Sequence, residues 1–199
     1  MAILNEAELR AANETLFQTG VVGGITAAKV REWNVDVIES DRSYRVVLSG
    51  GVVNGISVTN TGVIWDHYDA SPYPSNALLT PDFVAGSISA FEPALYFATI
   101  RFNGKWPANE DLNFHLHVNG AENTSTPILF SKEGKGINDP ELVSVTDLDF
   151  IITSAMVAAG AGAAKVELFI SSTTGTFTLD QATVTLSLRY DPQSIRTVG

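Results

Sequence analysis

Leu112–Val118, LNFHLHV, alternates apolar and polar residues without a break. Successive side chains of an extended chain point to opposite faces, so Leu112, Phe114, Leu116 and Val118 share one side and Asn113, His115 and His117 the other. The same period returns in KVELFIS (165–171) and TVTLSLRY (183–190). A helix would need its apolar residues every three to four positions, so these segments predict half-buried strands.

Outward from this stretch, strands are expected over Ala94–Phe102, Asp111–Val118, Pro127–Phe130, Leu142–Thr153, Ala164–Ser171 and Ala182–Tyr190, with an additional one over Thr176–Leu179. No amphipathic helical period separates them. Strands that follow one another in this way predict a mainly β fold, an antiparallel jelly-roll-type β-sandwich. Upstream, Tyr44–Leu48, Gly51–Thr59 and Val63–Trp65 are rich in β-branched residues and punctuated by Gly50-Gly51, Asn54-Gly55 and Thr61-Gly62, which predicts short strands joined by tight turns. Asp66–Pro93 holds four of the eight prolines and breaks every period, and is expected to be a long ordered loop or a linker.

The first forty residues have a different texture. Asn5 is an N-cap with Glu8 three residues on, and Leu9, Ala12, Leu16 and Phe17 then fall on one helical face. In ITAAKVREWNVDVIES (25–40), Thr26 caps a second helix with Val30, Trp33, Val37 and Ile38 at helical spacing. Two helices this short bury too little apolar surface to stand alone and are expected to dock on something. The chain is thus expected to divide into a helical attachment or oligomerisation segment (1–42), short strands with a proline-rich loop (43–93) and a β-sandwich (94–192).

Among 199 residues, 22 are acidic and 12 basic, a net charge of −10, and no run of Lys or Arg interrupts the excess. A neutraliser of phosphates needs a concentrated basic stripe, so neither nucleic acid nor an anionic membrane is an expected partner. The longest weakly polar run, Ile151–Ala164, is too short to span a bilayer, so no membrane insertion is expected. The acidic start lacks the basic and apolar regions of a signal peptide, and synthesis in a cytoplasm is expected. The absence of cysteine excludes a disulfide framework and thiolate chemistry.

His115 and His117 project from one strand face, as metal ligation requires, and H-x-H is the first metal motif of the cupins, with Glu122 following. The third histidine, His67, lies far upstream and no second motif follows, so histidines on a solvent or interface face are the expected reading. Asp147 and Asp149 alternate on one strand face and Glu110-Asp111 precede another strand; Leu148 and Phe150 are expected to face the core and the aspartates the solvent. There is no G-x-S-x-G, no phosphate loop and no calcium-loop spacing. AAGAGAAK (158–165) is expected to be a flexible hairpin loop. Trp65, Trp106, Phe91, Tyr96 and Phe97 sit near loops or strand starts. They serve either as core caps or as contacts, with Trp65, Tyr73 and Trp106 the candidate stacking platforms for a ligand. No catalytic residue, metal site or cofactor is assigned.

Two resemblances accompany these readings. The acidic ELR helix (8–10), Gly-rich turn, ITA (25–27), Arg-containing second helix and terminal IES (38–40) resemble the N-terminal segment of tail-fibre, spike and decoration proteins of bacteriophage virions. The run YFATIRFNGKW (96–106), the strand VTDLDFIIT (145–153) and the closing TFTLDQATVTLSLRY (176–190), taken as a hairpin, are similar to small trimeric jelly rolls resembling tumour necrosis factor, used by phages as head fibres and tail tips. Together they imply a structural protein of a bacteriophage particle, a homotrimeric capsid decoration or head-spike protein made in the host cytoplasm and located in the virion. It would be attached through Leu9, Leu16, Phe17, Val30, Trp33 and Val37 to a major capsid protein or to a tail or baseplate protein. The alternatives are a tail-fibre tip or baseplate receptor-binding protein that engages a host-surface glycan through loops 66–93 and 131–140, a carbohydrate-binding β-sandwich module and, third, a cupin-like enzyme.

Overall fold

The computed structural model describes residues 44–69, 78–122, 130–173 and 175–190. Along them run β1 (Tyr44–Ser49), β2 (Ile56–Val58), β3 (Val63–Ile64), β4 (Leu79–Asp82), β5 (Ser87–Ala90), β6 (Ala94–Lys105), β7 (Asp111–Val118), β8 (Ala121–Glu122), β9 (Phe130–Glu133), β10 (Glu141–Ile152), a short helix α1 (Ser154–Ala159), β11 (Ala164–Ser172) and β12 (Phe177–Tyr190). The expected helical pair, with Leu9, Leu16, Phe17, Val30, Trp33 and Val37, lies outside the described residues, as does Tyr73.

The strands form two antiparallel sheets. One has the order β1-β12-β6-β10, with β2 also on β12; the other has the order β4-β5-β11-β7-β8, with β3 on β11 and β9 on β7. Period two explains both faces. In β7 Leu112, Phe114, Leu116 and Val118 are buried, and in β6 Ala94, Tyr96, Ala98, Ile100 and Phe102 are buried. The two inner faces meet at Phe102 of β6 and Phe114 of β7, whose ring centroids are 5.1 Å apart. Trp65 and Trp106 add edge-on contacts to Phe102 at 6.4 and 5.8 Å. A second aromatic group, Tyr96 with Tyr190 and Phe150, closes the other end of the first sheet, and the Tyr96 hydroxyl donates to the Glu92 carbonyl at 2.7 Å. Burial raises the Tyr96 phenol well above its ordinary range.

Four local expectations change. Asp66–Pro93 is not one loop, since β4 and β5 lie within it and pair in register from Leu79↔Ala90 to Asp82↔Ser87. Pro81 is tolerated because β4 is an edge strand, where a missing N–H removes no ladder bond. The closing segment is one strand and not a hairpin: Gln181, at φ 50°, makes a bulge between Asp180 and Thr183, and its N–H is taken by the Asn54 side chain at 2.8 Å. The strand expected to end at Phe130 runs on to Glu133, and residues 127–129 of that expectation lie outside the described residues. AAGAGAAK is partly helical, because the Thr153 side chain accepts from the Met156 N–H and caps α1, which ends at Gly160.

Candidate functional surface

The outer face of the second sheet carries the most connected polar cluster among the described residues. Its geometry starts at Asn119-Gly120, where φ values of 55° and 76° make the two-residue turn that returns β7 into β8. That return sets Glu122 opposite His117. On the other side of β7, β11 sets Glu167 opposite His117, Phe169 opposite His115 and Ser171 opposite Asn113. Seven strand-borne side chains are thereby set side by side by strand pairing.

His115 bridges this cluster. Its Nδ1 is 2.8 Å from Glu122 Oε1 and its Nε2 is 3.1 Å from Ser171 Oγ. One neutral tautomer satisfies both contacts: Nδ1–H donates to the carboxylate, and Nε2 accepts from the hydroxyl. His117 lies flat on Phe169, and the His115 ring stands edge-on to both, at 6.4 Å from His117 and 5.7 Å from Phe169. Burial, then the neighbouring His115, lowers the His117 pKa; Glu122 and a hydrogen bond to Gly120 act the other way. Burial raises the Glu167 pKa, opposed by the Gly120 N–H that donates to Oε2 at 3.1 Å and by Lys165.

The outer face of the first sheet is organised differently. Arg45, Arg189, Phe97 and Asp149 form one row across β1, β12, β6 and β10. The Arg189 guanidinium sits 4.5 Å from the centroid of the Phe97 ring and 3.7 Å from Asp147 Oδ1, while Arg45 Nε donates to Ser187 Oγ at 2.8 Å. Asp147 and Asp149 are exposed and Phe150 is buried, in accord with the sequence pattern, although Leu148 is only half-buried. Glu141 is the buried carboxylate of this edge, within 3.1 Å of Lys135 Nζ and 3.8 Å of Lys132 Nζ, so it tethers the 131–140 segment to β10.

Trp65 and Trp106 do not belong to a ligand platform. Both indoles are buried in the core, at 1% and 0% exposure, and Trp106 Nε1 donates to the Glu110 carbonyl at 2.9 Å. Their position near strand ends is accounted for by capping the sandwich. Among the described residues no group of three His, Cys, Asp or Glu could hold a metal ion, and His67 packs on Trp65 at 5.3 Å. Sequence reasoning singled out His115, His117 and Glu122 but missed Phe169, Ser171 and Glu167. The signal was present in KVELFIS, whose polar side pairs with that of LNFHLHV, but pairing register is not legible from one strand.

No family model matches the chain, and no curated protein matches it. Among solved structures it is similar to PRD1 vertex protein P5, with 12% identity over 74% of this chain and 96% of that chain and a TM-score of 0.46. It is also similar to Eiger TNF from S. frugiperda, with 13% identity over 73% of this chain and 91% of that chain and a TM-score of 0.45. A third similarity is to infectious bursal disease virus, Gx strain, with 10% identity over 77% of this chain and 34% of that chain and a TM-score of 0.31. At these identities and scores no function follows from the likeness.

Proposed function

We propose that the chain is a structural protein of a bacteriophage particle: a trimeric jelly-roll domain displayed on the surface as a capsid decoration or head spike and held through its N-terminal segment. The observation that carries this reading is the strand order. If β1, β5, β6, β7, β9, β10, β11 and β12 are numbered one to eight, the sheets run 1-8-3-6 and 2-7-4-5. That order supports a reading as two interleaved Greek keys, the double-sheet jelly roll on which viral capsid domains, lectins and cupins are built. Two findings weigh against the other members of this group. The indoles proposed as sugar platforms are core residues, and the H-x-H pair is committed to hydroxyl, carboxylate and ring contacts. The resemblance of residues 8–40 to phage attachment segments supports the virion role, with Leu9, Leu16, Phe17, Val30, Trp33 and Val37 as the apolar stripe. The part played in the particle is association, and its partner is a second virion protein.

Trp33→Ala tests the attachment directly, since one indole in an interface contributes about 2–4 kcal/mol. The variant is expected to keep the sandwich folded and to lose occupancy on purified particles, read by cryo-electron microscopy. Unchanged occupancy would reject attachment through this segment.

A further inference from the structure

We propose that Asn54-Gly55 is a latent self-modification site, held shut by β12 and converted to aspartate and isoaspartate when β2 lifts away from that strand. This goes beyond display on a particle and does not depend on it. An Asn-Gly bond can rearrange without an enzyme, because glycine has no Cβ to keep its nitrogen from the preceding side-chain amide. The Gly55 nitrogen bonds to Asn54 Cγ as the Cγ–Nδ2 bond breaks, and the amide proton passes through water to the departing ammonia. Water then opens the resulting succinimide at either carbonyl. One product is aspartate; the other is isoaspartate, whose main chain runs through the former side chain. The first step has two requirements: the glycine nitrogen must be released from any acceptor, and the asparagine side chain must be free to swing over it.

The paired strands deny both. Asn54-Gly55 lies between the Val53↔Ala182 bridge and the Ile56↔Leu179 pair, facing Asp180-Gln181. Each strand's side chain takes the other's backbone N–H: Gly55 donates to Asp180 Oδ1 at 3.0 Å, and Gln181 donates to Asn54 Oδ1 at 2.8 Å. The first bond occupies the attacking nitrogen's proton, and the second holds the Asn54 amide toward β12. Little else secures the turn. Asn54 and Gly55 are exposed, and β2 is three residues long and paired only with β12 among the described residues, so local opening costs far less than unfolding. The chain's two other Asn-Gly bonds are held harder. Asn103-Gly104 lies inside β6, between β12 and β10. At Asn119-Gly120 the glycine N–H is likewise on a carboxylate, Glu167 Oε2 at 3.1 Å, but the asparagine is fixed at both ends, Oδ1 on the Lys165 N–H and Nδ2 on the Met156 carbonyl. Opening at Asn54 is also recorded permanently. The product adds a charge beside Asp180, and isoaspartate lengthens the turn, so β2 cannot return to its register.

Prolonged incubation of the full chain at neutral pH, with isoaspartate read by peptide mapping, tests the assignment. Conversion is expected at Asn54 ahead of Asn103 and Asn119. Asp180→Ala frees the Gly55 N–H and should speed conversion at Asn54 about 10-fold while leaving Asn119 unchanged. Asp180→Asn keeps an acceptor oxygen and should stay close to the parent. A synthetic peptide of residues 51–59, which lacks β12, should convert faster than the folded chain. If Asp180→Ala unfolds outright, seen as faster conversion at Asn119 too, the parent in urea below its unfolding transition keeps the test: conversion at Asn54 should rise where conversion at Asn119 does not. Equal Asn54 rates in the parent and a folded Asp180→Ala would overturn the proposal, since the hydrogen bond would then not be the gate. Slower conversion in that variant would overturn it by making the carboxylate a base and not a lock, and conversion at Asn119 before Asn54 would overturn the choice of site.

Discussion

The His117 imidazole stacks on the Phe169 ring with centroids 4.2 Å apart and planes 10° from parallel. The stack joins β7 to β11 on the outer face of the second sheet. Burial, with His115 beside it, holds the His117 pKa below its ordinary 6.5. The unfolded chain therefore takes up a proton before the folded one does. The stability contributed is present above about 6.5 and is lost as pH falls through the lower folded value.

Glu167, opposite His117 on the next strand, works in the reverse sense. Its folded pKa is raised from 4.5, chiefly by burial. Stability from a raised carboxyl is fully present below 4.5 and is lost as pH rises through the folded value. Falling pH thus costs stability through His117 and restores it through Glu167, so the two groups act in opposite directions. His117→Gln should flatten the acid-side loss of stability, and Glu167→Gln should steepen it. Denaturant midpoints at pH 7, 6 and 5 measure both; identical slopes in the two variants would contradict the assignment.

The alternation in LNFHLHV, KVELFIS and TVTLSLRY placed β7, β11 and the second half of β12 within one or two residues, because a strand with one buried face states its period locally. What escaped depends on partners distant in sequence. Pro81 looks like a breaker until β4 is known to be an edge strand, and Gln181 looks like a turn until its N–H is seen to be taken by Asn54. Trp65 and Trp106 could have been core caps or platforms, and only the position of Phe102 between them decides for the core. The cluster around His115 was half legible: its histidines share a strand, but Ser171 is 56 residues away and arrives only through register.

Asp147 guards the edge of the first sheet. It stands at φ 49°, and between Val145 and Leu148 the β10 ladder carries one residue more than β6. Leu142 is 72% and Ile151 39% exposed on this same edge strand. A long edge with exposed aliphatics invites pairing with another chain, and a bulge interrupts it. Deleting Asp147 should restore a continuous ladder. Faster growth of light scattering on incubation at 37 °C is expected, with little change in the monomer's circular dichroism.

Trp106 should be the most costly single truncation in the core. It is fully buried, edge-on to Phe102, and bonded through Nε1 to the Glu110 carbonyl. Trp106→Ala removes the ring, opens a cavity and loses one of the hydrogen bonds to that carbonyl, which also accepts from the Gly134 N–H at 3.0 Å, a loss of about 3–5 kcal/mol. Gly134 is tied to the same residue, since a Cβ there would meet Trp106 Cδ1 at 2.7 Å and collide with the Pro107 carbonyl. Gly134→Ala should therefore destabilise the fold in the same direction. Equilibrium unfolding in urea measures both, and a neutral Gly134→Ala would show that the 131–140 segment can move away from the core.

The β7–β8 turn provides a last test, because one side chain fastens it to two other elements. Asn119 Oδ1 accepts from the Lys165 N–H at 2.9 Å, and its Nδ2 donates to the Met156 carbonyl at 2.8 Å. Its own N–H donates to the Lys165 carbonyl at 2.8 Å, so the residue joins the turn to β11 and to the cap of α1. At φ 55°, Asn is also one of the few residues with a side chain that accepts this backbone. Asn119→Ala loses both side-chain bonds and the conformational tolerance together, about 1–3 kcal/mol. Asn119→Gly keeps the conformation and loses only the bonds, so it should be the milder of the two. If glycine proves as costly as alanine, the bonds alone hold the turn; if it restores the parent stability, the backbone conformation does.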